Sequence, residues 1–491
     1  MIRLVSSGDF LSAARERTLL ILREFSRLLA VQTTAYDVDG RRECAALIQT
    51  MLERRGFVTH LVEHSGAAPM VVGLFDVGAR NTIALYSHYD GQPVAQPHWA
   101  NDPWRATLYD GRLEDGAERV EIEEIKDWSA KGYRLYARCT SDDKAPTQAL
   151  CSALDILAEC GEKPSVNLLV ITEGEEECGS TNFIELLAQV SEIKGVEGWL
   201  ILDGPLHPSR RPQVVLGARG VVSLQMTVFG PSRVLHSGHY GNWIPNPAMR
   251  LVHLIASMRD EEGHVTIKGF GDAALEMGDA ERKAIHAMPK TDQDFLASVA
   301  IFGPEDGVSG LLESMMRPAV NLHGIEAGHV QREATNAIMT RAHSSMDIRL
   351  VPDQTVSGVI AAIEDHVKGK GFHIVHDEPS EETLRSNEKV VLMRWGGGYE
   401  PARAQLDAPF AKNLISAARE FAGDRLIVNP MFGASVPVRT LAGSSRKPVA
   451  ILPIASHDNN QHGANENIRV EDLISGVALY ATVLSRFGLS G

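Results

Sequence analysis

At 491 residues the chain is longer than one hydrophobic core usually organises, so two or more domains are expected. Charged residues at 23% and hydrophobic ones at 44% are ordinary globular values, and a net charge of −15 argues against nucleic acid or an anionic membrane surface as the main partner. The cysteines Cys44, Cys139, Cys151, Cys160 and Cys178 form no CxxC pair, which speaks against a disulfide framework or a thiolate zinc site and for a reducing, cytoplasmic setting. Charges interrupt the N-terminus too early for a signal-peptide core, and no run approaches the roughly 18 apolar residues of a membrane span.

Apolar residues recur at helical spacing over 19–30 (LLILREFSRLLA) and 44–55 (CAALIQTMLERR). Short continuous apolar runs at 69–76, 82–86, 166–171 and 199–202 have the character of buried parallel strands, and a helix over 145–159 separates the second from the third. This alternation predicts an α/β sheet with helices on both faces and chemistry at the strands' C-terminal ends.

Near Gly217 the rhythm changes to strand 214–229, helix 247–258, strand 319–325, strand 337–350, helix 352–368 and strand 372–376. In the second of these helices Val356, Val359, Ile360, Ile363 and Val367 line one face. The order is that of a ferredoxin-like α+β module. After Glu378 helical periodicity returns, and 448–454 (PVAILPI) is a further buried-strand candidate. The expected organisation is a discontinuous catalytic domain, 1–216 and 379–491, with a domain inserted over 217–378. Two stretches, the acidic 114–131 and the polar 259–315, stand outside this scheme.

Polar residues gather where predicted strands end. His88 follows the strand at 82–86, and Asp90 can accept its second ring N–H. Asp142 follows a candidate strand over 134–139, where a carboxylate can bridge two cations; a helix N-cap is the plain alternative. Glu173, Glu175, Glu176 and Glu177 crowd the end of the strand at 166–171 and repel one another, a situation that a dication relieves. Asp203 and His462 repeat the strand-to-loop position. Three carboxylates and two imidazoles, His88, Asp142, Glu177, Asp203 and His462, are the hard-to-borderline donor set that Zn²⁺ or Mn²⁺ accepts when no thiolate is offered.

The motifs SHYDGQP (87–93), TSDDK (140–144), EGEEECGS (173–180), LHSGHYG (235–241), IRLVP (348–352), GASVP (433–437) and HGANE (462–466) resemble, in order and spacing, the di-zinc metallopeptidase family twenty. Carnosinase, carboxypeptidase G, acetylornithine deacetylase and succinyl-diaminopimelate desuccinylase belong to it. HGIEAGHV (323–330) and the segment 335–352 look most like its carnosinase and dipeptidase branch. The resemblance implies a zinc-exopeptidase-type catalytic sheet, an inserted lid and dimerisation domain, and a homodimer. It implies two divalent metal ions, Zn²⁺ first with Mn²⁺ or Co²⁺ as alternatives. One would be held by His88, Asp142 and Asp203 and the other by Asp142, Glu177 and His462, with Asp142 bridging. Glu176 matches the general base, and the peptide bond matching Asp142–Asp143 is cis in relatives. His236 matches an oxyanion-stabilising histidine that reaches across the dimer. Arg349, Thr335 and Ser435 match residues that hold the substrate's terminal carboxylate, which Arg grips bidentately.

The implied reaction is hydrolysis of a peptide or N-acyl amide bond next to a free carboxylate. A dipeptidase is preferred, an N-acyl-amino-acid deacylase is the alternative, and a non-catalytic binding protein on the same fold is the rival from another class. Presence of every proposed ligand and of the base opposes that rival. The chain departs from the family pattern at Ala137-Arg138-Cys139, at Ala145 after DDK, at Thr335-Asn336-Ala337-Ile338 and at Gly433-Ala434-Ser435. These departures spare the proposed ligands.

Overall fold

A computed structural model describes residues 5–95, 97–433, 438–445 and 447–489. Its largest sheet has eight strands, in the order Val58–Val62, Met70–Phe75, Asn167–Glu173, Thr82–His88, Val196–Ile201, Val449–Ile451, Gln213–Val215 and Ile427–Asn429. Because side chains alternate across a strand, Ile83, Leu85, Leu168 and Val170 enter one core while Ala84, Tyr86, Leu169 and Ile171 enter the other. The first core lies under the helices Ser7–Glu16, Thr18–Leu29, Lys144–Glu159, Pro409–Ala422 and Val470–Arg486. Phe183–Leu187 and Val438–Ser445 cover the second. In Thr18–Leu29 the buried Ile21, Leu22, Phe25, Leu28 and Leu29 recur at helical offsets, each contributing about 1.5–3 kcal/mol of burial.

The direction of one strand differs from expectation. Thr82–His88 runs parallel to Asn167–Glu173 and Val196–Ile201, but Met70–Phe75 is antiparallel to both of its neighbours. An apolar run reports burial on two faces, not direction. Residues 63–69, which join Val58–Val62 to Met70–Phe75, are too few for a parallel crossover, which takes about a dozen or more.

A second sheet of five strands runs in the order Ala319–Glu326, Arg341–Leu350, Gly220–Phe229, Val390–Tyr399 and His373–Val375. Helices Pro247–Ala256 and Val356–Gly369 cover one face, packing on Val222, Leu224, Met226, Met346 and Ile348. The first four strands have the ferredoxin-like order, yet the fourth is Val390–Tyr399 and not the expected 372–376. His373–Val375 only adds a parallel edge strand. The small sheet therefore spans residues 220–399, reaching past the 217–378 over which the inserted domain is expected. Gly396, Gly397 and Gly398 carry no side chains to mark the alternation of that strand in the sequence.

The expected strand 214–229 is divided into Gln213–Val215 in the large sheet, Gly217–Ala218, and Gly220–Phe229 in the small one. Gly217–Ala218 pairs with Ala402–Arg403, so the outgoing and returning chains are hydrogen-bonded where they cross. A Cβ on Gly217 would lie 2.4 Å from the Ala402 carbonyl oxygen and 2.8 Å from Arg403 Cα. Within 259–315 the short helices Asp279–His286, Asp292–Ser298 and Leu311–Met315 form, and Glu281 pairs with Arg403 at 3.1 Å. No helix among the described residues is long and apolar enough to cross a membrane.

Gly217→Ala should cost about 1–3 kcal/mol, because the added methyl meets backbone that cannot turn aside. The urea midpoint should fall at unchanged slope. An unchanged midpoint would contradict close packing of the two crossing segments.

Candidate metal centre

Three strand ends of the large sheet deliver polar side chains to one place. His88 closes Thr82–His88, Glu176 and Glu177 lie in the turn Glu176–Cys178 after Asn167–Glu173, and Asp203 comes two residues after Ile201. Asp142 does not come from this sheet's edge, as the sequence had suggested. It follows Arg134–Tyr136, which sits in a separate three-stranded sheet between Asn467–Arg469 and Thr107–Tyr109. His462 lies in the loop entering Asn467–Arg469, so that antiparallel pair brings Asp142 and His462 together.

Asp142 faces an imidazole on each side. Its Oδ1 lies 3.0 Å from His88 Nε2 and its Oδ2 3.0 Å from His462 Nε2. Asp203 is 3.9 Å from His88 Nε2, and Glu177 is 3.4 Å from His462 Nε2. Two groups each offer three donor atoms lying within 4.8 Å of one another: His88, Asp143 and Asp203, and Asp142, Glu177 and His462. Asp143 is an unexpected member. It is fully buried, its peptide bond to Asp142 is cis, its Oδ2 accepts the His88 backbone N–H at 3.1 Å, and its Oδ1 has no hydrogen-bond partner. Nothing in the sequence separates it from a solvated neighbour of Asp142.

The electrostatics favour a cation here. Burial, reinforced by Asp142, pushes the Glu177 carboxyl up to about 7 and that of Asp203 up to about 6. Burial and then the charges of Asp203 and Glu177 hold Glu176 well above the carboxylate range, against the opposing pull of His88. Among the described residues no lysine or arginine is ion-paired with Asp142, Asp143, Glu176, Glu177 or Asp203. Oxygen and imidazole donors that converge without a basic partner, one of them an orphaned buried carboxylate oxygen, fit divalent cations of the zinc and manganese type.

Two further carboxylates hold the loops. Asp90 lies with Oδ1 3.4 Å from His88 Nδ1, and its carboxylate also accepts the backbone N–H groups of Glu176 at 3.1 Å and Glu177 at 3.0 Å. It thus ties the His88 strand to the turn carrying both glutamates. Glu466, to which the sequence reading gave no role, is fully buried and accepts the N–H groups of Cys139, Ser141 and Asp142 at 2.9, 2.9 and 3.0 Å. Arg138 donates to it at 2.8 Å. The available signal was Arg138 itself, a charge inside the apolar segment LYARC that required a buried partner. Gln92 donates to Glu177 at 2.7 Å.

The remaining candidates lie elsewhere. His236 is exposed on Leu235–His236, paired with Ala337–Ile338; its Nδ1 accepts the Gly238 N–H at 3.0 Å and its ring lies 4.7 Å from that of His239. Thr335 is exposed just before that pairing. Arg349 donates through Nε to Asp347, which also receives His323. These contacts lie within the inserted unit and not at the carboxylate cluster. Ser435 lies outside the described residues.

Glu466→Gln should cost about 3–5 kcal/mol, because it strands the Arg138 charge. Metal retention should fall with it, since the amide cannot accept from every donor that fixes the Asp142 loop. Denaturation and elemental analysis decide it, and a variant with wild-type stability and metal content would refute this role.

The chain is similar to known proteins over most of its length. The Cys-Gly metallodipeptidase of Schizosaccharomyces pombe is 26% identical over 478 residues, covering 93% of each chain. The human Beta-Ala-His dipeptidase is 25% identical over 413 residues, which cover 82% of this chain and 74% of that protein. Among solved structures, an M20 family metallo-carboxypeptidase from Sulfolobus solfataricus superposes with a TM-score of 0.75 at 23% identity, covering 96% of this chain and 99% of that one. Human carnosine dipeptidase 1 gives 0.72 at 20%, covering 98% of both chains. With residues 84–486 matching its sequence pattern, the chain belongs to peptidase family M20/M25/M40 and is an enzyme of the metallopeptidase type.

Proposed function

We propose that the enzyme hydrolyses the peptide bond of dipeptides bearing a free terminal carboxylate. Divalent cations would be held by His88, Asp142 and Asp203 on one side and by Asp142, Glu177 and His462 on the other. The observation that carries this reading is Asp142, a carboxylate with each oxygen 3.0 Å from a different imidazole. Zn²⁺ suits the donor set first, with Mn²⁺ and Co²⁺ as alternatives. Relatives named for dipeptide hydrolysis, Cys-Gly in one and Beta-Ala-His in another, support the substrate size.

Bound divalent cations supply Lewis acidity, which polarises a carbonyl and acidifies water near neutral pH. The chain's own residues do the rest. Glu176, next to the ligand Glu177 and raised by its burial, is suited to take the proton of the attacking water and return it to the leaving amine. Arg349 keeps its terminal guanidinium nitrogens free of Asp347, which engages Nε, and with Thr335 and Ser435 would orient the substrate carboxylate. His236, exposed on an arm of the inserted unit, would stabilise the oxyanion in the partner's active site of a homodimer formed through that unit.

Glu176→Gln should retain metal while kcat falls on the order of 10² to 10⁴, because an amide carries no proton. Near-wild-type turnover of some member of a dipeptide and N-acyl-amino-acid panel by the metal-loaded variant would remove Glu176 from the mechanism. The dimer reading has its own check. Inactive Glu176→Gln and His236→Ala chains, once exchanged into heterodimers, should recover up to about a quarter of wild-type activity, one good site in half of the dimers. Heterodimers confirmed by mass spectrometry but lacking activity would show that His236 does not act across the interface.

A further inference from the structure

Arg219 is the one residue between the crossing segment Gly217–Ala218 and the lid strand Gly220–Phe229. Its backbone N–H donates to the Phe432 carbonyl at 3.3 Å, and Ala218 bridges to Phe432. Phe432 in turn packs on Gly204, the neighbour of Asp203; a Cβ on that glycine would stand 3.4 Å from the ring. From the lid side comes Arg349, whose register partner is Val221. Arg219 therefore sits where the metal-side loops and the Arg349 strand meet.

The charges at this junction do not balance. Arg349 is matched by Asp347, Arg317 by Asp306 at 2.8 Å and Arg403 by Glu281 at 3.1 Å. Arg219 has no carboxylate partner among the described residues. One terminal nitrogen donates to the Arg317 carbonyl at 2.9 Å, while Nε is buried without an acceptor. Burial, and after it the charge of Arg349, pulls the Arg219 pKa down to about 10, so the side chain stays cationic at neutral pH. A half-buried guanidinium with an orphaned donor, whose nearby carboxylate Asp347 is already paired with Arg349, is an unfavourable arrangement that an anion would relieve.

We infer that Arg219 is a specificity-determining residue whose missing counter-ion is the substrate's free carboxylate, with Arg349 as the second donor to the same group. Two guanidinium groups and Asp347 leave one unmatched positive charge, which a single carboxylate balances. The inference rests on the proposed reading of a substrate with a free carboxylate, and it moves the recognising charge from Arg349, which Asp347 already neutralises, to Arg219.

The test is calorimetric binding of N-acetylalanine and of N-acetylalaninamide to the metal-loaded full-length enzyme, which needs no turnover. The wild type should prefer the acid. Arg219→Gln should bind the acid at least about tenfold more weakly, as expected for a lost charge-assisted pair, and the amide equally well. Arg219→Lys should fall between, keeping the charge but losing the fork. The Arg219→Gln protein should melt no lower than the wild type, because an unpaired charge has been removed. No acid preference in the wild type, full retention of that preference in Arg219→Gln, or a lowered Tm that marks a structural arginine would each overturn the inference. Hydrolysis is scored separately: a wild type that binds the acid through Arg219 but cleaves no dipeptide would overturn the proposed function and leave this assignment standing.

Discussion

Repulsion among carboxylates gathered at the ends of neighbouring strands is the constraint the rest of the structure answers. Asp90, Asp142, Asp143, Glu173, Glu176, Glu177 and Asp203 are buried or half-buried within a few loops of one another. Some are satisfied by the scaffold. Asp90 takes two backbone N–H groups, and Glu173 takes the Tyr86 and Ser180 hydroxyls, although burial still pushes it up to about 8. Fixed dipoles hold a carboxylate in place without neutralising it. What they leave uncompensated around His88 and His462 is what a divalent cation would compensate.

Position in the fold follows from this. The parallel strands set His88 level with Glu173, and Tyr86 level with Ile201 just before Asp203, so three loops open at one height. Asp142 arrives from a different sheet, and its loop is held by the buried Glu466 with Arg138. A carboxylate meant to face two imidazoles needs a rigid seat, because a shift of an ångström on either side breaks one contact. The inserted unit, joined through the paired segments Gly217–Ala218 and Ala402–Arg403, carries Arg349 on one of its strands, with Arg219 at the joint itself.

Much of this was legible in the sequence because apolar runs and polar loop residues alternate so regularly. The runs at 82–86, 166–171 and 199–202 placed His88, Glu177 and Asp203, and helical spacing over 356–367 placed one lid helix. Direction was not legible for Met70–Phe75, since burial on both faces looks the same either way. The last lid strand was hidden by three consecutive glycines, which show no alternation. Asp143 and Glu466 were hidden for a different reason: their roles depend on what surrounds them across the chain, Glu466 lying 328 positions from Arg138. Arg219 gave no sequence signal either, because its distinguishing feature is a partner that the described chain does not provide.

The central claim is that these carboxylates and imidazoles bind cations on which peptide hydrolysis depends. Its most direct measurement is turnover of a dipeptide panel while Zn²⁺ is titrated into chelator-treated wild-type protein. Activity should be lost on chelation and return as metal is added, reaching its plateau at two equivalents per chain. Full activity in rigorously metal-free protein, or reconstituted protein that binds metal yet cleaves no member of the panel, would contradict it.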